Sequence, residues 1–151
     1  MQTTQDMTWH YENKTQGMLR HPFDGEALKH FDRKHQSFAS DPGNIRLGLC
    51  LDGFNLYIQV SSSPYSCWPV IVILYNLPSK ICMTKPFMFL KCLIQGPSNP
   101  KASINVYFEP LIDDLNKLWN GIWTYDVSRK QNFLMTSLHM EYCPIGAHIV
   151  D

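Results

Sequence analysis

NIRLGLCLDGFN, residues 44–55, joins an apolar run to an Asp-Gly pair. The residues before the run, Asp41-Pro42-Gly43-Asn44, are typical of a turn, so we predict a first strand over Ile45 to Leu51. Asp52 stands directly after that strand. From spacing alone, an Asp-Gly pair in this place favours a tight turn in which the glycine accepts a positive φ.

Two more apolar runs follow in the same part of the chain. WPVIVILYNL, residues 68–77, is continuously apolar and β-branched, as expected of a central strand covered on both faces. FMFLKCLIQ, residues 87–95, is bounded by proline on one side and by Gly96-Pro97 on the other. Because the connections are short, we predict a three-stranded antiparallel meander. Phe54 to Val60 fits either a loop or a strand.

The clearest helical pattern lies over about residues 110–122. Pro110 suits a first helical turn, where its missing N–H needs no partner, and Gly121 falls near the end. We predict an amphipathic helix whose apolar face holds Leu111, Ile112, Leu115, Leu118, Trp119 and Ile122. Ile104 to Phe108 resembles a short strand, and residues 133–151 show no clear element.

The flanking regions are less regular. Residues 1–43 are charged and polar, with a short helix predicted over Gly25 to Arg33 and Asp24 as its N-cap. The fold class is therefore α/β. We divide the chain into this N-terminal region, a central domain over residues 44–134, and a divergent tail over residues 135–151.

Composition limits the function classes. The 151 residues carry 13 basic and 13 acidic side chains, and this neutrality counts against autonomous DNA binding, which usually needs a cationic face. The N-terminus is polar and the longest uncharged run is interrupted by polar residues and prolines, so we expect an intracellular protein without a membrane anchor. The cysteines form no CxxC pair and are interpreted as reduced core thiols: Cys50, Cys67, Cys82, Cys92 and Cys143.

Other chemistry-bearing side chains have simpler interpretations. His10, His21, His30 and His35 lack metal-finger spacing and are expected at the surface or in packing. Asp113 and Asp114 fall on the polar helix face, where solvated carboxylates are ordinary. Five aromatic side chains could stack on nucleic-acid bases, namely Trp9, Tyr11, Trp68, Trp119 and Trp123. Because Lys and Arg are not interleaved with them, most of the five are expected to be core anchors.

An ordered series of short motifs resembles the plant CACTA (En/Spm-type) transposases over roughly residues 9–134. These motifs are Trp9-His10-Tyr11, Leu19-Arg20-His21-Pro22, Asp24-Gly25, Phe38-Ala39, Asp41-Pro42, Asn44, Arg46-Leu47-Gly48-Leu49, Asp52-Gly53-Phe54-Asn55, Trp68-Pro69-Val70, Tyr75-Asn76-Leu77-Pro78, Gly96-Pro97, Asn99-Pro100, Pro110-Leu111-Ile112-Asp113, Leu118-Trp119, Tyr125-Asp126 and Phe133. So many matches in order make the resemblance specific.

The resemblance implies a partial RNase H-like fold in residues 44–134. It also implies that Asp52 is the first catalytic acid and a metal ligand. In a complete family member, Mg²⁺ or Mn²⁺ would support cleavage and transfer of DNA at the transposon terminal repeats, in the nucleus. We expect no metal to be held stably by this chain, and weak binding to DNA by the chain alone.

This sequence departs from the family pattern in two places. Leu56 stands where the family usually has proline. In the family, a fourth strand carries a second acid within Asn-Asp-Phe-Pro-Ala, with a further acid beyond, whereas here residues 135–151 read MTSLHMEYCPIGAHIVD. Glu141 and Asp151 lie outside the expected motif.

Three hypotheses follow. The first is an inactive fragment of a CACTA-type transposase, with the later strands and acids missing. The second is a non-catalytic nucleic-acid or protein interaction module derived from a transposase. The third is an unrelated small α+β enzyme that uses Asp52, for which no second positioned group is visible.

Overall fold

The structure, a computed structural model, describes residues 5–13, 19–55, 66–96 and 104–140. The described helices are α1 (Trp9–Glu12), α2 (Glu26–Lys34), α3 (Gln36–Ser40), α4 (Ser79–Cys82) and α5 (Ile104–Asn120). The described strands are β1 (Ile45–Leu51), β2 (Phe54–Asn55), β3 (Ser66–Leu74), β4 (Met88–Gly96), β5 (Ile122–Asp126), β6 (Gln131–Met135) and β7 (Ser137–Met140). The fold is thus mixed α/β, as predicted.

The predicted meander is confirmed. β1 has the predicted bounds and pairs antiparallel with β3, which in turn pairs antiparallel with β4. β3 ends at Leu74, before the predicted limit of residue 77, because the backbone turns at Tyr75-Asn76. Phe54–Asn55 adds a two-residue strand beside β3, and the rest of the undecided stretch, from residue 56, lies outside the described residues.

Two predictions after the meander are wrong. Ile104 to Phe108 is helical, so α5 begins at Ile104 and Pro110 lies inside the helix instead of in its first turn. The apolar side chains Ile104 and Phe108 pack on the sheet together with Leu111, and this burial outweighs the roughly 3 kcal/mol cost of an interior proline. The helix ends at Asn120 because Gly121 adopts φ 97°, a left-handed conformation that glycine accepts without strain.

Residues 133–140 contradict the expectation of no clear element. β5 and β6 form an antiparallel hairpin, and Ile122 belongs to that hairpin instead of to the helix. β7 then pairs with β1 in parallel, from Ile45 opposite Ser137 to Gly48 opposite Met140. The sheet therefore does have a fourth strand beside β1, contrary to the expectation that it is missing. Residues 141–151 lie outside the described part.

The core is split between the two faces of the sheet. On one face, Leu51, Val70 and Ile94 pack against Leu111 of α5. On the other face, Cys50 and Ile73 are buried together with Tyr75. Three cysteines are buried as predicted, namely Cys50, Cys67 and Cys82; Cys92 is partly exposed, and Cys143 falls beyond the described residues.

The N-terminal region packs on the sheet, and α2 (Glu26–Lys34) confirms the short helix predicted over Gly25 to Arg33. Leu28 of α2 is completely buried, and the rings of His21 and Tyr75 meet edge to face. Asp24 is not the N-cap of α2, since Gly25 holds that position. Its carboxylate instead accepts hydrogen bonds from the backbone N–H groups of Arg20 and His21, and so closes the short 3₁₀ turn Pro22–Asp24.

Candidate active-site edge

Asp52 is presented at the carboxyl end of β1, as the sequence predicts for its place after the first strand. Its side chain is exposed, and its Oδ1 accepts a hydrogen bond from the backbone N–H of Gly53 at 2.8 Å. The carboxylate is therefore oriented by its own turn and open to solvent. One lone carboxylate can contribute a ligand to a hard cation.

Gly53 is required because of a close side-chain contact and not because of the predicted positive φ. Gly121 is the positive-φ glycine among the described residues, so Gly53 does not occupy the left-handed region. A Cβ on Gly53 would instead lie 2.5 Å from the indole ring of Trp68. The Asp-Gly pair thus lets Trp68 pack directly over the backbone next to Asp52.

Three elements reach the end of the sheet where β1 finishes and Asp52 lies. β7 is parallel to β1, so the carboxyl end of β7 at Met140 points toward this end of the sheet. β4 ends at Gly96, opposite Ser66, which itself pairs with Asn55 beside the Asp52 turn. α5 follows β4 and runs back along the sheet, since Trp119 near the end of α5 stacks on Phe38 at the opposite end of the sheet. The first turns of α5 therefore lie toward the end of the sheet that carries Asp52.

The other acids considered as catalytic groups lie at the surface of α5 or outside the described residues. Within the described part of the chain, no group of three His, Cys, Asp or Glu side chains stands close enough to hold a metal ion. Asp113 is exposed on α5, and Asp114 makes ion pairs with Lys91 and Lys117. The hydrogen bond from Lys91 and the positive charges of Lys91 and Lys117 lower the pKa of Asp114. Both aspartates lie at the surface of α5, as predicted. Glu141 and Asp151 lie outside the described residues.

The other end of β1 holds a buried polar cluster that sequence analysis did not predict. We call it the Arg46 anchor and define it by His10, Asp32, Arg46 and Asn76. Arg46 is 1 % exposed, and its guanidinium lies 2.9 Å from His10 Nε2 and 3.0 Å from Asp32 Oδ1. The guanidinium also lies 5.1 Å from the ring centroid of Phe23 and 5.0 Å from that of Phe38.

The hydrogen bonds fix the protonation state of His10. Because Arg46 can only donate, His10 Nε2 must accept, so the ring proton is on Nδ1, which donates to the carbonyl of Asn76 at 3.3 Å. Burial, followed by the charge of Arg46, lowers the pKa of His10 to about 4. His10 is therefore a neutral packing histidine at physiological pH. Burial also lowers the pKa of His21, against the charge of Asp24.

Asn76 connects three separate segments of the chain. Its side-chain oxygen accepts from the Arg46 backbone N–H at 2.7 Å, and its amide nitrogen donates to the carbonyls of Asn44 and Met7. The side chain thereby fixes the start of β1 against the turn after β3 and the N-terminal segment.

The short motifs that carry the family resemblance give a partial sequence signal for the Arg46 anchor. Polar residues within these motifs are candidates for buried positions, because buried polar groups in proteins are hydrogen-bonded. Apart from Ser137, every buried polar residue in the described part of the chain belongs to a motif quoted above: His10, His21, Asp24, Asn44, Arg46 and Asn76. Many of the motif residues therefore serve to hold the fold together.

The prediction that most of these aromatic residues are core anchors is wrong. Trp9 and Trp68 are partly buried and contact neighbouring elements. Tyr11 is 44 % exposed, Trp119 is 42 % exposed although its ring stacks on Phe38, and Trp123 is 73 % exposed on the hairpin. None of the described helices combines the length and the apolar character that crossing a bilayer requires.

Comparison with protein families now identifies the chain. Residues 16–143 match the model of a family of transposases. The family is described as Transposase family tnp2, and because the match covers most of the chain, the chain belongs to it. A comparison with curated proteins gives no match, and neither does a comparison with solved structures. Membership makes interaction with DNA the general expectation for this fold.

Proposed function

We propose that this chain is the amino-terminal part of an RNase H-like catalytic domain from a plant CACTA (En/Spm-type) transposase. The ancestral activity is metal-dependent cleavage and transfer of DNA strands at the transposon terminal repeats, in the nucleus. Asp52 is the first acid of that catalytic set. The chain as it stands is catalytically inactive.

The observation that supports this proposal is the position of Asp52 in the strand order. β4, β3, β1 and β7 lie side by side in a five-stranded sheet. Along the chain, the three antiparallel strands are followed by α5, the β5–β6 hairpin and then β7, which is parallel to β1. Asp52 follows β1, which has β3 on one side and β7 on the other, so carboxylates from neighbouring elements could converge there. Two-metal phosphoryl transfer requires such convergence, because two cations about 4 Å apart need several shared oxygen ligands.

Inactivity is supported by the donor set. Asp52 offers one carboxylate, and among the described residues it belongs to no group of three side chains that could hold a metal ion. This set does not fit two Mg²⁺ or Mn²⁺ ions, although Asp52 fits one ligand position of a complete site. The neutral net charge agrees with weak affinity of the isolated chain for DNA.

Mn²⁺ binding tests the role of Asp52 without requiring catalysis. In the purified protein, Mn²⁺ is expected to broaden the NMR amide signals around Asp52 and Gly53 at millimolar concentration, and Asp52→Asn is expected to remove the effect. Asp113→Asn is the matched control, since it deletes an exposed carboxylate on α5. Broadening that persists in Asp52→Asn, or its absence from the unaltered protein, would contradict the proposed metal-ligand role.

Cleavage of terminal-repeat DNA tests the proposed inactivity. With Mg²⁺ or Mn²⁺ and a duplex carrying CACTA terminal repeats, we expect no nicked product from this chain. Cleavage that Asp52→Asn abolishes would overturn the proposal of inactivity and support an active enzyme.

A non-catalytic interaction module is the second candidate function. It is favoured by the ordered Arg46 anchor, which stabilises the fold without serving chemistry. A cooperative thermal transition together with absent cleavage would be expected of such a module.

A further inference from the structure

The β5–β6 hairpin presents two faces of different character. One face holds Thr124, Asp126, Phe133 and Met135, which are partly buried. The opposite face holds exposed side chains: Trp123, Tyr125, Asn132 and Leu134. We call this exposed face the aromatic ribbon. Trp123 lies opposite Leu134 and Tyr125 lies opposite Asn132 in the pairing register.

The inner side of the hairpin is held by the body of the protein. The Phe133 ring packs against Gly43, where an added Cβ would come within 2.9 Å of it. Arg129 donates to Asp41 at 3.1 Å and also pairs with Asp126. Asp126 caps the turn further by accepting from Ser128 and from the Arg129 backbone. The aromatic ribbon is therefore a positioned surface and not a loose loop.

Two rings project from the aromatic ribbon at a spacing that suits bases. Trp123 is 73 % exposed and Tyr125 is 56 % exposed. Residues two apart on a strand lie about 6.7 Å apart, close to two base-stacking steps of about 3.4 Å each. One unpaired base can therefore enter between the two rings, and the next base can stack on an outer face.

The charges at the hairpin fit a polyanion. The aromatic ribbon itself carries no acidic side chain. The turn beside it holds Lys130, an exposed residue with φ 52°. Among the described residues, no carboxylate lies within ion-pair distance of Lys130, so its positive charge is available to a phosphate. Asn132 adds an amide that can hydrogen-bond to a base edge.

We propose that the aromatic ribbon binds unpaired bases of single-stranded DNA by stacking on Trp123 and Tyr125, with Lys130 contacting the backbone. The choice of DNA as ligand rests on the proposed transposase function, and the site is separate from Asp52. Stacking contributes at every base type and tolerates sequence changes. It also works at low net charge, which matches the composition of this chain.

Fluorescence anisotropy tests this proposal in the absence of metal ions. The probe is a labelled single-stranded DNA of about a dozen nucleotides, long enough for one small binding site, compared with the same sequence as a duplex. The protein is expected to prefer the single strand. Trp123→Ala and Tyr125→Ala are each expected to weaken binding at least about fivefold, while Trp123→Phe retains most of it because a ring is kept.

Tyr107→Ala is the matched control, since Tyr107 is an exposed aromatic residue in the N-terminal half of α5. Its affinity should equal that of the unaltered protein. Circular dichroism of each variant separates loss of binding from loss of folding, and Trp123→Phe provides a second check.

Three outcomes would overturn the proposal. The first is single-strand affinity that is unchanged in Trp123→Ala, and the second is equal affinity for single strand and duplex. The third is a self-association, seen by sedimentation, that Trp123→Ala abolishes while DNA binding persists, which would make the ribbon an interface between copies. These results do not depend on Asp52. If Mn²⁺ did not bind at Asp52 but single-stranded DNA still bound in a Trp123-dependent way, the proposed function would be contradicted and the proposed role of the aromatic ribbon would be supported.

Discussion

The two ends of strand β1 differ in what their polar side chains do. At the start, Arg46 is buried and its guanidinium contacts His10, Asp32 and two phenylalanine rings. At the end, Asp52 is exposed and bonds to its own neighbour, Gly53. The start of β1 is built to hold segments of the chain together, whereas the end offers a group to something outside the fold.

This difference explains what family membership means for the chain. The buried polar residues of the motifs lie around the start of β1, so their place in these motifs is explained by their role in holding the fold. The motif at the end of β1 carries one carboxylate. The side chains that hold the fold together are therefore distinct from the carboxylate that the end of β1 exposes.

The largest effect is expected from breaking the Arg46 anchor. Arg46→Ala leaves Asp32 and His10 without their buried partner and is expected to destabilise the protein by about 3–5 kcal/mol. Urea unfolding followed by circular dichroism measures this change.

Arg33→Ala is the control for that substitution. Arg33 is exposed on α2, where its contact with Glu26 is 4.0 Å long, and its loss should change stability by less than about 0.5 kcal/mol. If the two variants were equally stable, the anchor would not be the structural element described above.

A smaller effect of pH is expected from the same cluster. The pKa of His10 is about 4 in the fold, below its ordinary value of 6.5, so the unfolded chain takes up the proton first. The stabilisation is complete above about pH 6.5, falls as the pH drops toward 4, and is constant below that, with a total loss of up to about 3 kcal/mol. Protonation would place a second positive charge against Arg46.

Unfolding free energies measured across this pH window test the prediction. His10→Gln is expected to flatten the slope, whereas His30→Gln, at an exposed position, should leave it unchanged. Burial of His21 acts in the same direction, so a residual slope in His10→Gln is expected. An unchanged slope in His10→Gln would contradict the assigned protonation state.

The sequence predicted the elements whose patterns were unambiguous. β1, β3 and β4 are apolar runs between turn residues, and the apolar periodicity over residues 110–120 could only be helical. Pro110 is typical of a first helical turn, whereas the helix begins at Ile104 because Ile104 and Phe108 contact the sheet, and that tertiary contact has no local sequence signal. β7 was missed because Ser137–Met140 is short and mixed in polarity, and its pairing with β1 involves residues about ninety positions away.

Of the polar and aromatic groups described above, the sequence predicts the position of Asp52 but not the Arg46 anchor or the aromatic ribbon. Asp52 is visible because a lone acid ends an apolar strand. The Arg46 anchor is harder to predict. An arginine in a strand is ordinarily assigned to the surface, and its burial here depends on the positions of His10 and Asp32. The aromatic ribbon was missed for the reverse reason, since an apolar ring such as Trp123 is ordinarily assigned to the core.

The smallest of these effects is expected at the Asp52 end of the strand. Gly53→Ala introduces a Cβ that would lie 2.5 Å from the Trp68 ring, and overpacking of this kind costs about 1–3 kcal/mol. The cost is below that of Arg46→Ala because the indole can shift toward partly exposed space. Urea unfolding measures the loss, and the double variant Gly53→Ala with Trp68→Leu should recover most of it, since leucine leaves room for the methyl group. If the double variant were as unstable as Gly53→Ala, a backbone requirement at Gly53 would be responsible, and the close approach of Trp68 would not be what fixes the turn that presents Asp52.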